Sequence, residues 1–121
     1  MKYMLLIHQG DSATPETDTW DDLSDEEKQG VQASYQEVNQ TAGVTPGQWL
    51  EAPEAATTVR VDGGQTLTTD GPFVAIKEAI GGYLFFEADD LDAAIALASK
   101  IPAARMGGAV EVRPIKEWSG S

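Results

Sequence analysis

The chain opens with apolar residues on both sides of an extended segment. In residues 2–9, Tyr3, Leu5 and Ile7 share one side and Met4 and Leu6 the other. A strand that is apolar on both faces is covered on both faces, so this segment predicts a central strand. Residues 10–23 turn polar and carry Gly10 and Pro15, which predicts a loop long enough to act as a flap or surface cover. At Ser24-Asp25-Glu26-Glu27 the period changes. Ser24 can cap the Glu27 N–H, Glu27 can reach back to the Ser24 amide, and the acids suit the positive end of a helix. Val31, Tyr35, Val38 and Ala42 recur at helical spacing as one buried stripe, and Gly43 closes the helix. Gly30 inside it costs ~1 kcal/mol relative to alanine, which marks either close packing or a separate first turn.

Shorter apolar units follow. Residues 48–51 predict a short strand after Pro46-Gly47. Residues 57–61 alternate and are β-branched, with Thr58 and Arg60 on one side and Thr57, Val59 and Val61 on the other. Asp62-Gly63-Gly64-Gln65 is a hairpin turn that returns as residues 66–69. Asp70-Gly71-Pro72-Phe73 is a second tight turn. Residues 80–87 form a largely apolar strand in which Gly81-Gly82 allows a bulge or close backbone approach. Asp89-Asp90 caps a second helix with Leu91, Ala94, Ile95, Ala98 and Ile101 as its buried face and Pro102 as its stop. Val110, Val112 and Ile115 build a last strand, where Pro114 suits an edge or terminal position.

The resulting order, β-α-β-β-β-β-α-β, predicts an α+β sandwich with two helices on one face of a mostly antiparallel sheet. Two β-α-β halves suggest a ferredoxin-like core with an added β-hairpin. The other sheet face, apolar along the first strand and along residues 83–86, needs a cover, and a second subunit is the simplest one. A homodimer is therefore expected.

Size and charge narrow the function. With 121 residues the chain is one domain, spanning 1–121. Its 41% hydrophobic content supports a core. No apolar run approaches the ~20 residues that span a bilayer. Met4-Leu5-Leu6-Ile7 is too short for a signal peptide and has no cleavage site after it. Cysteine is absent, which excludes disulfides and thiolate metal sites and fits a cytoplasmic location. A net charge of −12 disfavours nucleic acid and anionic membranes as partners. The acids between Asp11 and Glu27 read as a solvated face or as a docking surface for a basic regulatory protein.

Few residues carry candidate chemistry. His8, the single histidine, sits where the first strand ends and could move a proton in a cleft; otherwise it is a polar strand-end residue. Asp70 could orient His8 or act as a base, or simply cap its own turn. The two approach each other if the first strand and the strand ending at Thr69 are neighbours. Lys77 and Glu78 form a local ion pair or line a pocket. Arg60, Lys77 and Arg105 are possible partners for a substrate anion. Trp20, Trp49 and Trp118 could wall a small apolar site or be buried in the core or a dimer interface. No metal-ligand spacing, phosphate-binding glycine loop or hydrolase triad is present, so no metal and no cofactor are expected.

Several segments together resemble the YCII-related proteins of the DGPF group, over nearly the whole chain. They are Lys2-Tyr3-Met4-Leu5-Leu6-Ile7, Ala56-Thr57-Thr58-Val59-Arg60, Asp70-Gly71-Pro72-Phe73 with Lys77-Glu78 and Gly81-Gly82, Asp90-Leu91-Asp92-Ala93-Ala94, Ile101-Pro102-Ala103-Ala104-Arg105 and Val110-Glu111-Val112-Arg113-Pro114. The resemblance implies a bacterial, dimeric α+β barrel of ferredoxin-like type. Some members resemble small lyases or isomerases with a His/Asp pair in a cleft, and the group is associated with extracytoplasmic-function sigma factors. Members commonly read Ala-Glu-Thr-Lys-Glu where this chain has Val74-Ala75-Ile76-Lys77-Glu78, so a role for the two replaced polar side chains does not carry over. Two functional readings follow. One is a cofactor-free lyase or isomerase acting on a small organic molecule, with His8 moving the proton, Asp70 orienting it, and Arg60, Lys77 or Arg105 holding an anion. The alternative is a non-catalytic module that binds a small ligand or docks a protein of sigma-factor regulation.

Overall fold

The computed structural model describes residues 1–10, 14, 17–71 and 80–116. Its elements are, in order, β1 (Lys2–His8), α1 (Asp18–Asp21), α2 (Asp25–Gln40), β2 (Val44–Trp49), a 3₁₀ turn (Pro53–Ala55), β3 (Thr57–Asp62), β4 (Gln65–Asp70), β5 (Ile80–Glu87), α3 (Leu91–Ala98), α4 (Pro102–Arg105) and β6 (Ala109–Pro114). Strands β2, β5, β1 and β6 lie side by side in that order, every pair antiparallel. This is the ferredoxin-like α+β arrangement. Hairpin β3–β4 is inserted between the second and third core strands and forms a sheet of its own.

The core fills the space between the sheet and the helices. Tyr3, Leu5 and Ile7 from β1 and Leu84 and Phe86 from β5 share one face, because Leu5 pairs with Leu84 and Tyr3 with Phe86. Val38 of α2, Ala94, Leu97 and Ala98 of α3, and Ala103 of α4 pack against them with Ile101. Leu5 and Ile101 are wholly buried, and burying such a side chain stabilises the fold by about 1.5–3 kcal/mol. Met4, Leu6, Tyr83 and Phe85 point to the opposite face, where no described helix packs.

Local devices act where the residues predict. Ser24 caps α2: its hydroxyl accepts from the Glu27 N–H and the Glu27 carboxylate accepts from the Ser24 N–H, both at 3.0 Å. Asp90 caps α3 through the Ala93 N–H. Gly63 and Gly64 both take positive φ, +57° and +81°, as a two-residue hairpin turn needs to match the twist of its strands. In β5 the pairing passes from Ile7–Gly82 to His8–Ile80, so Gly81 is the extra residue of a bulge. Pro114 ends β6, an edge strand.

Tertiary packing changes other expectations. The 10–23 segment contains α1, which carries the buried Trp20. Helix α2 ends at Gln40 with Thr41 as its cap, and Ala42 is exposed instead of completing the stripe. Gly43, with φ +90°, turns the chain beyond the cap. Strand β2 begins at Val44 and ends at Trp49, short of the expected 51. It contains Pro46 because an edge strand needs no N–H on its open side. Helix α3 buries Ala94, Leu97 and Ala98, and leaves Leu91 49% and Ile95 50% exposed. In an eight-residue helix that is almost wholly apolar, spacing alone does not choose the face. Pro102 does not stop α3, which ends at Ala98 with Ser99 as its cap; it opens α4.

Candidate functional site

One cavity of about 390 Å³ lies between α2 and the helix-covered face of the sheet, within the range typical of small-molecule sites. Its floor is built by Ile7 of β1 and Gly82 and Leu84 of β5. Its inner wall is a stripe of α2 at four-residue spacing, Val31, Tyr35 and Asn39, together with Gln32. Trp20 of α1 and Thr14 enclose one side, and Gly47, Gln48 and Trp49 of β2 form an outer lip. Trp20 is buried, whereas Trp49 is 56% exposed. The wall explains why Val31 and Tyr35 are only half-buried: they face the cavity, and Val38 alone of the predicted stripe enters the core.

Backbone proximity lets β2 and β5 form this lip. A Cβ on Gly47 would stand 2.0 Å from the Tyr83 carbonyl oxygen, and one on Gly82 would stand 3.1 Å from the Gln48 carbonyl oxygen. The Leu50 N–H donates to the Gly81 carbonyl at 2.8 Å and extends the contact past the end of β2.

None of the described residues lining the cavity is charged. Its polar groups are the amides of Gln9, Gln32, Asn39 and Gln48 and the hydroxyls of Thr14 and Tyr35. Burial raises the Tyr35 hydroxyl above the ordinary tyrosine range. Hydrogen bonds from the Gln9 side chain and the Ala103 backbone, and the charge of Arg105, oppose that rise. Tyr35 therefore stays a neutral phenol at physiological pH, able to donate and to accept.

The sequence-predicted site residues fall elsewhere. His8 points to the opposite sheet face from Ile7 and is not part of the cavity lining. Its Nε2 lies 3.4 Å from Glu111 Oε1 on the neighbouring strand β6. Glu111 is held in turn by Arg113, and hydrogen bonding from Arg113 is the main reason its carboxyl sits below the usual carboxylate range. Asp70 is exposed at the end of β4, opposite Thr57. Strands β1 and β4 are not neighbours: β1 lies between β5 and β6, and β4 pairs with β3 in the separate sheet. The strand pairing that would draw Asp70 to His8 is thus absent, and a carboxylate of β6 stands beside the imidazole. Next to Asp70, Gly71 has φ +97°, donates its N–H to Ala56 O at 2.6 Å and accepts from Thr58 Oγ1 at 2.7 Å.

Arg60 sits in the middle of β3, opposite Leu67, on the exposed hairpin. Arg105 ends α4 and donates to Ser34 Oγ at 3.1 Å. Neither lines the cavity. Lys77 and Glu78, with Pro72, Phe73, Ala75 and Ile76, lie outside the described residues, as does Trp118. The cavity residues missed by sequence reasoning are the glutamines, Asn39 and Tyr35. Amides have no spacing signature, although the Val31-Tyr35-Asn39 interval is visible on a helical net.

The α+β core of ferredoxin type carries one inserted hairpin and, under its first long helix, a cavity whose described lining residues bear no charge. The chain belongs to the YCII-related family, whose domain model matches residues 1–119. It is also 31% identical over 120 residues to an uncharacterised protein of Rhizobium meliloti, covering 95% of this chain and 92% of that relative.

Proposed function

We propose that this YCII-related protein binds a small, uncharged molecule with an aromatic or apolar body in the cavity beneath α2. The observation that carries this reading is a cavity of about 390 Å³ walled by Trp20, Tyr35, Val31, Ile7 and Trp49, with no charged residue among the described ones that line it. Such a wall favours flat apolar surface through burial and ring contacts. Among the described lining residues no cation would meet a desolvated anion.

Thermal unfolding in the presence of a panel of neutral aromatic compounds tests the reading. A ligand at a hundred times its Kd stabilises the fold by about 2.7 kcal/mol, which is a rise of several degrees in Tm. Replacing the exposed lip residue, Trp49→Ala, should abolish that rise and leave the unliganded Tm nearly unchanged. A panel that moves Tm for no compound, or a rise that survives Trp49→Ala undiminished, argues against the cavity as the site.

A second reading rests on His8. Its imidazole is partly buried on the open sheet face, 3.4 Å from a carboxylate that Arg113 fixes. This is the arrangement of an oriented general acid or base, with Glu111 in the place expected of Asp70. In this reading His8→Asn removes lyase or isomerase turnover while the cavity ligand still binds. We also propose a homodimer formed through that face, supported by Met4, Leu6, Tyr83 and Phe85 standing on a side where no described helix packs.

A further inference from the structure

The cavity has one incomplete polar group, and the inference drawn from it rests on the binding reading above. Gln9 follows β1 and lines the cavity, and its Oε1 is buried without a hydrogen-bond partner, the one such side-chain atom among the described residues. The Gln9 side chain sits beside Tyr35 on the cavity wall, and its carbonyl end is left without a partner there. A buried acceptor left unmade is costly, and native folds rarely keep one without a reason.

The bulge in β5 makes room for this side chain. Gly81 is its extra residue, and a Cβ there would stand 2.4 Å from Gln9 Cγ and 3.1 Å from Nε2. Any other residue at 81 would push Gln9 out of its place. The glycine thus keeps an amide beside the apolar wall of Ile7 and Trp20. Gln9 lines the cavity, and the terminal torsion of glutamine is broad and soft, so its amide plane can turn to meet a ligand. A carbonyl oxygen only accepts. What completes it is an N–H or O–H group on the bound molecule.

We propose that Gln9 is the specificity-determining residue of this cavity. It selects neutral aromatic molecules that carry an N–H or O–H donor over molecules of the same shape that lack one. The Tyr35 hydroxyl beside it gives the same ligand a second polar contact, and Trp20 and Trp49 receive the ring. The ligand class is therefore a flat, uncharged aromatic or heteroaromatic donor, such as an indole or a phenol.

Equilibrium dialysis of the full chain against a matched pair, indole and benzothiophene, tests the assignment. The two are alike in shape, and only indole has an N–H. The wild-type protein should bind indole about tenfold more tightly, the effect expected of one hydrogen bond to a buried acceptor. Gln9→Leu and Gln9→Met should bring the two affinities within about twofold of each other while benzothiophene still binds. Equal affinities in the wild-type protein, or a preference for indole that survives both substitutions, overturn the role of Gln9 and leave the binding reading standing. Binding of neither compound, together with a silent thermal panel, overturns both. The wild-type comparison stands even where a Gln9 variant fails to fold.

Discussion

Two glycines with opposite surroundings show how much a single residue can say. Gly47 stands where a Cβ would overlap the Tyr83 carbonyl, so its absence of side chain is what lets β2 close on β5. Gly30 stands in mid-helix, where an added Cβ would meet nothing within 4 Å. Neither close packing nor a break in the helix accounts for it, since α2 runs unbroken from Asp25 to Gln40. Gly30→Ala should therefore stabilise the protein by about 1 kcal/mol, through higher helix propensity and a less flexible unfolded chain. A shift of the urea midpoint upward, with an unchanged slope, is the expected result; a fall would mean the position contacts something else. The two glycines look alike in sequence, and only their neighbours distinguish them.

Among the elements, α2 does most to position the site, and its start is the part most exposed to pH. The backbone hydrogen bond from Ser24, followed by its side-chain bond, lowers the Glu27 carboxyl below its ordinary value. A carboxyl lowered by folding contributes stability that is present above its unfolded pKa and disappears as pH falls through the folded value. Wild-type protein should thus exceed Glu27→Gln in stability at pH 7, and the gap should close on acidification below the carboxylate range. Denaturant midpoints at pH 7 and pH 3 measure it, and a gap independent of pH would remove the capping carboxylate from the account. This start is plain in the sequence because Ser24 and Glu27 are three residues apart. The face of α3 is not plain, because Leu91 and Ile95 compete with Ala94 and Leu97 on equal terms until the sheet is in place.

For the whole molecule, the consequential fact is that the sheet has two different sides. One carries the helices, the core and the cavity, and the other carries Met4, Leu6, Tyr83, Phe85, His8 and Glu111. On the open side Tyr83 and Phe85 meet edge to face at 5.9 Å, and the Lys2 ammonium lies 5.4 Å from the Phe85 ring centre. If two copies pair there, light scattering gives twice the mass of one chain. Phe85→Glu should then yield monomers, since it buries an unpaired charge in the interface. The same variant should keep the cavity ligand, because Phe85 is not among the residues that line the cavity. A wild-type protein that is monomeric at micromolar concentration would rule the pairing out.

Much of the fold could be read from short stretches. The helix caps, the Gly63-Gly64 turn, the bulge at Gly81 and the alternating face of β1 each depend on residues a few positions apart, and local sterics and hydrogen bonding decide them. The ferredoxin-like order follows from adding those units together. The site was readable only in pieces. Trp20 and Trp49 suggest a wall, but nothing along the chain says that they meet Tyr35 and Gln9. The neighbourhood of His8 was open for the same reason: Asp70 and Glu111 are both remote in sequence, and strand order is what brings Glu111 beside it. Covalent neighbours determined the elements of this protein; which side chains share a cavity, and which carboxylate stands by the histidine, was decided by packing distant segments onto one sheet, where burial rewards a whole arrangement and no single residue.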